Sequence, residues 1–324
     1  MDAILLDRCE LLITNRNAIK KAFFWQGGMM HLCAALVYTM HGLHADPVRL
    51  HSSYDLIRTR VGMFNNFRST SQLALAAMLD VSGDPETILD RALTVYDKLK
   101  EQFMTSSYLP LSALTIAQHV PVSHYDEVTG ATRAIYKRMR KEHPFLTSSE
   151  DCAFCTLFAM SGMDEDKLLQ DMETCYQLLK SEFFSSNAVQ GLSHALTLYP
   201  GDPTIKAQHV LSFYHDMKAR GQKWGTGFEL PLLGVVAMTH EDRAMVMEQV
   251  LETEAWLKQQ KGFGFWSNIS RTQRLMYAGI LVNAVIAADG NTNMTSMTIN
   301  SAISTIIAQQ AAASAAVSAS AASH

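Results

Sequence analysis

Tyr96-Asp97-Lys98-Leu99-Lys100 returns as Tyr136-Lys137-Arg138-Met139-Arg140, then as Tyr176-Gln177-Leu178-Leu179-Lys180 and Tyr214-His215-Asp216-Met217-Lys218. An earlier copy is Tyr54-Asp55-Leu56-Ile57-Arg58, so successive tyrosines stand 42, 40, 40 and 38 residues apart, and Trp256 follows Tyr214 by 42. A steady period of this size marks a helical-repeat architecture, whose units stack because none can bury its apolar face alone.

Each tyrosine lies on a stripe with helical spacing. Leu89, Ala92, Tyr96 and Leu99 in one copy correspond to Leu169, Met172, Tyr176 and Leu179 in another, which predicts an outer helix with one buried face. Between these run segments that are apolar all round, such as 73–79, 153–160, 192–198, 230–238 and 275–288. Such segments should be buried on every side.

Turn chemistry divides the chain in the same way. Asp46-Pro47, Asp84-Pro85 and Asp202-Pro203 place a cap acceptor before a first-turn residue that has no amide hydrogen to satisfy, so each opens an outer helix. The inner helices are expected to open with capping boxes: Ser69 with Gln72, Ser148 with Asp151, Asn187 with Gln190, Thr226 with Glu229, and Ser270 with Gln273. The second unit departs, because Ser107 is followed by Pro110. Phe67, Phe145, Phe184, Trp224 and Phe265 precede the caps and are expected to pack there as staples.

The fold class read from these signals is all-α: a leading helix over about residues 2–22, then tandem helical hairpins of about 40 residues, forming an α/α toroid or an α-solenoid. The toroid is preferred by analogy with other six- or seven-unit proteins. Small residues on the inner helices, among them Gly191, Gly234 and Gly279, permit close packing in either shape. Residues 1–289 read as a single helical-repeat domain. Residues 290–324 carry no charged side chain and read as a possible last helix followed by an Ala/Ser-rich frayed tail.

Composition bounds the function. The chain has 324 residues, 48% of them apolar, and a formal net charge of -4, which argues against a dedicated nucleic-acid binder. The dense basic stretch Arg133, Lys137, Arg138, Arg140 and Lys141 reads as a solvated helix face. Cys9, Cys33, Cys152, Cys155 and Cys175 are odd in number and lie among apolar neighbours, which suits a reducing compartment. The acidic opening Met1-Asp2-Ala3-Ile4-Leu5-Leu6-Asp7 does not read as a secretory signal, so a cytoplasmic location is expected. Residues 22–45 lack formal charge but contain His31, His41 and His44, and read as a buried helix rather than a membrane span.

No catalytic constellation emerges. Cys152-Ala153-Phe154-Cys155 lacks the second ligand pair of a zinc site, so no metal and no cofactor is expected, although a helix start can lower a thiol pKa. Asp164, Glu165 and Asp166 open an outer helix, where its dipole favours them. His31, His41, His119 and His194 sit on or near apolar helices, and His194 is the mid-helix one. Trp224-Gly225-Thr226-Gly227-Phe228 and Gly262-Phe263-Gly264-Phe265-Trp266 lack a preceding strand, which rejects a dinucleotide loop; their glycines are expected to cap the preceding helices. These loops bring Trp224, Phe228, Phe265, Trp266, Arg271 and Arg274 near inner-helix N-termini, and exposed aromatics beside arginines favour binding surfaces.

Phe145-Leu146-Thr147-Ser148-Ser149-Glu150-Asp151, Gly191-Leu192-Ser193-His194 and the tyrosine repeats resemble an uncharacterised bacterial all-helical family, a domain of unknown function. That resemblance covers about residues 1–289, implies a bacterial cytosolic protein and supplies no catalytic residue. A further likeness, in shape only, is to the double-ring toroids of terpene cyclases and protein prenyltransferases, suggested by Gly264-Phe265-Trp266 leading into an inner helix. The acidic cyclase motif and the zinc set of those enzymes are absent.

The function expected is therefore a non-enzymatic binding or scaffold protein. It would engage a protein, a peptide or a small apolar ligand through the inner-helix N-terminal face, with neither nucleic acid nor membrane as partner. The alternative is an α/α-toroid enzyme with a central apolar cavity, using His194 or Tyr277 as acid or base. A third reading is a protein that oligomerises through its uncharged C-terminal segment.

Overall fold

The computed structural model describes residues 1–264, 267 and 269–289, with side chains described up to residue 286. Among the described residues there are fourteen α-helices and no strand: α1 Ala3–Ala22, α2 Gly28–Met40, α3 Pro47–Arg60, α4 Gln72–Val81, α5 Pro85–Lys100, α6 Leu109–His119, α7 Tyr125–Glu142, α8 Cys152–Met160, α9 Glu165–Leu179, α10 Ser186–Thr197, α11 Pro203–Ala219, α12 Leu230–Ala237, α13 Arg243–Gln259 and α14 Arg271–Asp289. They form two compact units, residues 10–162 and residues 1–9 with 163–289.

Burial alternates helix by helix as the hydropathy pattern requires. Every residue of α4 from Gln72 to Asp80 is buried, as is every residue of α6 from Leu109 to Ala117, whereas α5 buries only Leu89, Ala92, Val95, Tyr96 and Leu99. α2, α4, α6 and α8 stack in that order within the first unit, and α10, α12 and α14 within the second. Close approach in the second stack uses glycine: a Cβ at Gly279 would stand 2.5 Å from Val236 Cγ2 and 3.1 Å from the Trp224 ring.

Outer helices α3, α5, α7, α9 and α13 pack chiefly against the inner helix that follows, α4, α6, α8, α10 and α14, whereas α11 packs chiefly on α9. The close hairpin is thus made across the longer aromatic turn, while the short Asp-Pro turn joins helices that touch little. The caps of those short turns form as expected. Asp46 accepts from the amides of Val48 and Arg49, and Asp202 from those of Thr204 and Ile205, with Pro47 and Pro203 at the first helical positions. Gly162, with φ of 68°, supplies the left-handed residue that ends α8.

Two of the five expected capping boxes close. The Ser148 amide donates to Asp151 at 2.7 Å, and Ser270 exchanges bonds with Gln273 at 2.8 and 3.2 Å. At α10 the cap is Ser185, two residues before the expected Asn187, and it accepts from the Ala188 amide. Ser69 bonds Ser71 and Gln72 reaches the Tyr54 carbonyl, while Glu229 accepts from Thr272, so neither completes a box.

Buried polar groups tie the first unit together. Tyr38 donates to Asp80 at 2.6 Å, and Arg49 grips the same residue through its carboxylate and its carbonyl, linking α2, α3 and α4. In the second unit the Met1 amine ion-pairs with Glu252, anchoring the start of α1 on α13.

Candidate functional site

The tyrosine repeat has one physical cause throughout. In each of four outer-to-inner turns a buried phenylalanine meets the tyrosine of the next outer helix edge to face: Phe23–Tyr54, Phe67–Tyr96, Phe103–Tyr136 and Phe183–Tyr214, with ring centroids 4.9 to 5.4 Å apart. These four turns, and the α7–α8 turn besides, each hold a large apolar side chain in water. Phe64, Phe145 and Phe184 are 94%, 99% and 104% exposed, and Phe24, Trp25 and Met104 are exposed beside them. Phe145 and Phe184 are therefore not staples. Thr147 and Phe183 turn inward in their place, because the turn admits only one side chain to the core.

A cavity of about 500 Å³ opens at this end of residues 10–162, within the usual range for small-ligand sites. Arg133, Tyr136 and Arg140 form one wall, spaced i, i+3, i+7 on α7, and Phe103, Met104 and Glu101 of the α5–α6 turn face them. Thr147, Ser148, Ser149 and Cys152, where α8 begins, complete it. The Arg133 guanidinium lies 5.0 Å from the Phe103 ring centroid and 5.7 Å from that of Tyr136, so its charge is held beside two aromatic rings. Neither Arg133 nor Arg140 makes an ion pair with a described residue. The one carboxylate on the lining is the exposed Glu101.

Behind the Ser148 wall, burial raises the Asp151 carboxyl to about 7, against the opposing pull of its bond from the Ser148 amide. Burial also pushes the Cys152 thiol up to about 12 and the Cys155 thiol well above its ordinary value. Whatever a helix start contributes is overridden, and both sulfurs sit in packing contacts, Cys152 with Ser112 Oγ and Cys155 with Met139 Sδ. All five cysteines are buried, and none forms a disulfide.

The residues singled out in the sequence fall elsewhere. Trp224 is buried, donating its indole N–H to the Glu229 carbonyl at 3.0 Å, and Arg274 is buried between Glu254 and the carbonyls of Phe263 and Ile269. Both hold the second unit together. Phe228 is 44% exposed and Arg271 reaches Gln222, while Phe265 and Trp266 lie outside the described residues. The space a Cβ would need at Gly225 is filled by the Glu229 carboxylate, so this loop wraps an acid of the chain itself. Gly221 and Gly262, rather than Gly225 and Gly227, take the left-handed cap conformation. His194 and Tyr277 are fully buried in α10 and α14 and are not on the cavity lining. Among the described residues no group of three or more His, Cys, Asp or Glu side chains is placed to hold a metal, and no helix is long and apolar enough to cross a membrane.

The sequence reading left Arg133 and Arg140 on a solvated face. Arg140 is exposed, as Lys137 is, whereas Arg133 is half-buried; the overlooked signal was register, since Arg133 and Arg140 flank the repeat tyrosine on its own stripe.

The family described as "Protein of unknown function (DUF4003)" matches residues 15–312. The chain belongs to the DUF4003 family. The match includes the quoted residues 145–151 and 191–194 and runs beyond Asp289, where the sequence resemblance stopped. One similar protein is "Uncharacterized protein YeaA" of Bacillus subtilis (strain 168), 26% identical over 296 residues, which cover 89% of this chain and 86% of that protein. No solved structure matches.

Proposed function

We propose that this DUF4003 protein is a non-enzymatic binding protein whose ligand enters the cavity at the inner-helix N-terminal end of residues 10–162. The observation that carries the reading is the pair Arg133 and Arg140, two guanidinium groups facing one cavity without ion-pair partners among the described residues. Phosphate and carboxylate oxygens match their donor geometry. Phe103, Met104 and Leu109 supply an apolar wall, so the ligand is a peptide or small molecule that joins an anionic group to an apolar body. The Thr147, Ser148 and Ser149 hydroxyls lie beside the same space and add hydrogen-bonding capacity.

Native mass spectrometry of the full chain purified from its own host tests this. A copurifying anionic species should accompany the wild-type protein and be missing from the Arg133→Gln/Arg140→Gln variant. A species retained equally by both proteins, or an empty wild-type protein, contradicts the reading.

A further inference from the structure

Every exposed Phe or Trp among the described residues stands in an outer-to-inner turn: Phe24, Trp25, Phe64, Phe145, Phe184 and Phe228. Residues 10–162 carry the first four of these, with exposed Met63 and Met104, on four consecutive turns at one end of the α2–α4–α6–α8 stack. Packed helices lie about 10 Å apart, so these side chains form a row of separate apolar tips instead of one groove.

Cations accompany them. The outer helices end in Lys20 and Lys21, Arg58 and Arg60, Lys98 and Lys100, and Arg140 and Lys141, each pair immediately before a turn. Asp55 pairs with Arg58, Asp90 with Arg60, Asp97 with Lys100 and Asp126 with Lys98, and Glu101, Glu142 and Glu150 stand at the same end, so the cations there that make no ion pair with a described residue are Lys20, Lys21, Arg140 and Lys141. The turns where inner helices hand over to outer ones carry Asp46, Asp84, Glu86, Asp126 and Glu127, of which Asp126 reaches Lys98. Those turns expose the aliphatic Leu43, Val48 and Val122 but no Phe or Trp.

We infer that this row of tips docks the protein on an anionic phospholipid surface. Aromatic and methionine tips enter the headgroup–acyl boundary, and Lys20, Lys21, Arg140 and Lys141 meet the lipid phosphates. Isolated tips suit an acceptor that deforms around each of them, whereas a protein partner would need a matching pocket for every one. Leaving membranes out of the partners rested on the lack of a spanning segment, and docking of this kind needs none. Met104 and Arg140 also line the cavity, whereas Phe64 and Phe145 do not, so substitutions at these two phenylalanines test the docking row apart from the cavity.

Cosedimentation of the full chain with vesicles tests it, using phosphatidylcholine alone and an equimolar mixture with phosphatidylglycerol. The protein should partition onto the mixed vesicles and far less onto the neutral ones, and raised salt should weaken the binding. Phe64→Ser and Phe145→Ser should each lower the partition coefficient about tenfold with helicity unchanged. A vesicle-induced blue shift of tryptophan emission should diminish in Trp25→Ser. Absence from both kinds of vesicle overturns the inference, as does unchanged partitioning of the two variants. If the same substitutions instead split a dimer and no vesicle is bound, the surface belongs to a second copy and the inference falls.

Discussion

Phe103 meets Tyr136 edge to face, with ring centroids 5.1 Å apart and planes at 72°. The contact closes a hairpin turn onto the next outer helix, and its neighbours Arg133 and Met104 face the cavity. One aromatic clasp therefore serves both the stacking of repeats and the shape of the candidate site.

The clasps should carry stability that the exposed rings do not. Phe67→Ala is expected to destabilise by about 3 to 5 kcal/mol, since a buried ring is removed from a packed core. A double-mutant cycle with Tyr96→Ala should give a coupling of about 1 kcal/mol. Phe64→Ala should stay within about 0.5 kcal/mol of wild type. Urea unfolding of wild type and the four variants measures all three.

The buried Asp80 carboxylate depends on Tyr38 and Arg49. Tyr38→Phe keeps the ring and removes the hydroxyl, leaving that carboxylate one donor short, and should cost about 1 to 3 kcal/mol. Arg49→Lys cannot reproduce both contacts and should fall between wild type and Arg49→Ala. The same denaturant titrations decide it.

Asp151 gives the stability a definite pH slope. Its folded-state value of about 7 lies above its ordinary value of 3.8, so the folded state binds the proton more tightly than the unfolded chain does. The contribution is complete below the unfolded value, is lost as pH rises between the two, and stays lost above about 7. Asp151→Asn, which retains an oxygen for the Ser148 amide, should flatten that slope and match or exceed wild type at alkaline pH. A slope unchanged by the substitution would refute the assignment.

Burial of Cys152 and Cys155 predicts slow chemistry at both thiols. In the native protein, alkylation by iodoacetamide near neutral pH should be at least about a hundredfold slower than in denaturant, because the thiolate is disfavoured and the sulfurs are covered. Mass spectrometry of the labelled peptides separates the sites.

The alternation of all-buried and half-buried helices was legible because hydropathy with a period of 3.6 records burial directly, as α4 and α5 illustrate. The Asp-Pro starts were legible because cap and proline act locally. What the sequence did not reveal is which of two adjacent rings enters the core. Phe183 and Phe184 are identical in chemistry, and only the path of the turn sends one inward. The cavity was hidden for a similar reason: Arg133 and Arg140 read as part of a charged run until the next turn supplies Phe103 as an opposing wall. Trp224 misled in the opposite direction, because an aromatic beside glycines resembles an exposed loop although here it plugs the gap above Gly279.

Hydroxyl-radical footprinting of the full chain tests most directly which large side chains of the outer-to-inner turns stand in water and which in the core. Phe64, Met104, Phe145 and Phe184 should be oxidised at nearly their unfolded-chain rates, with Phe67, Phe103 and Phe183 strongly protected. Protection of the first set to the level of the second, in the unliganded monomer, would contradict the account.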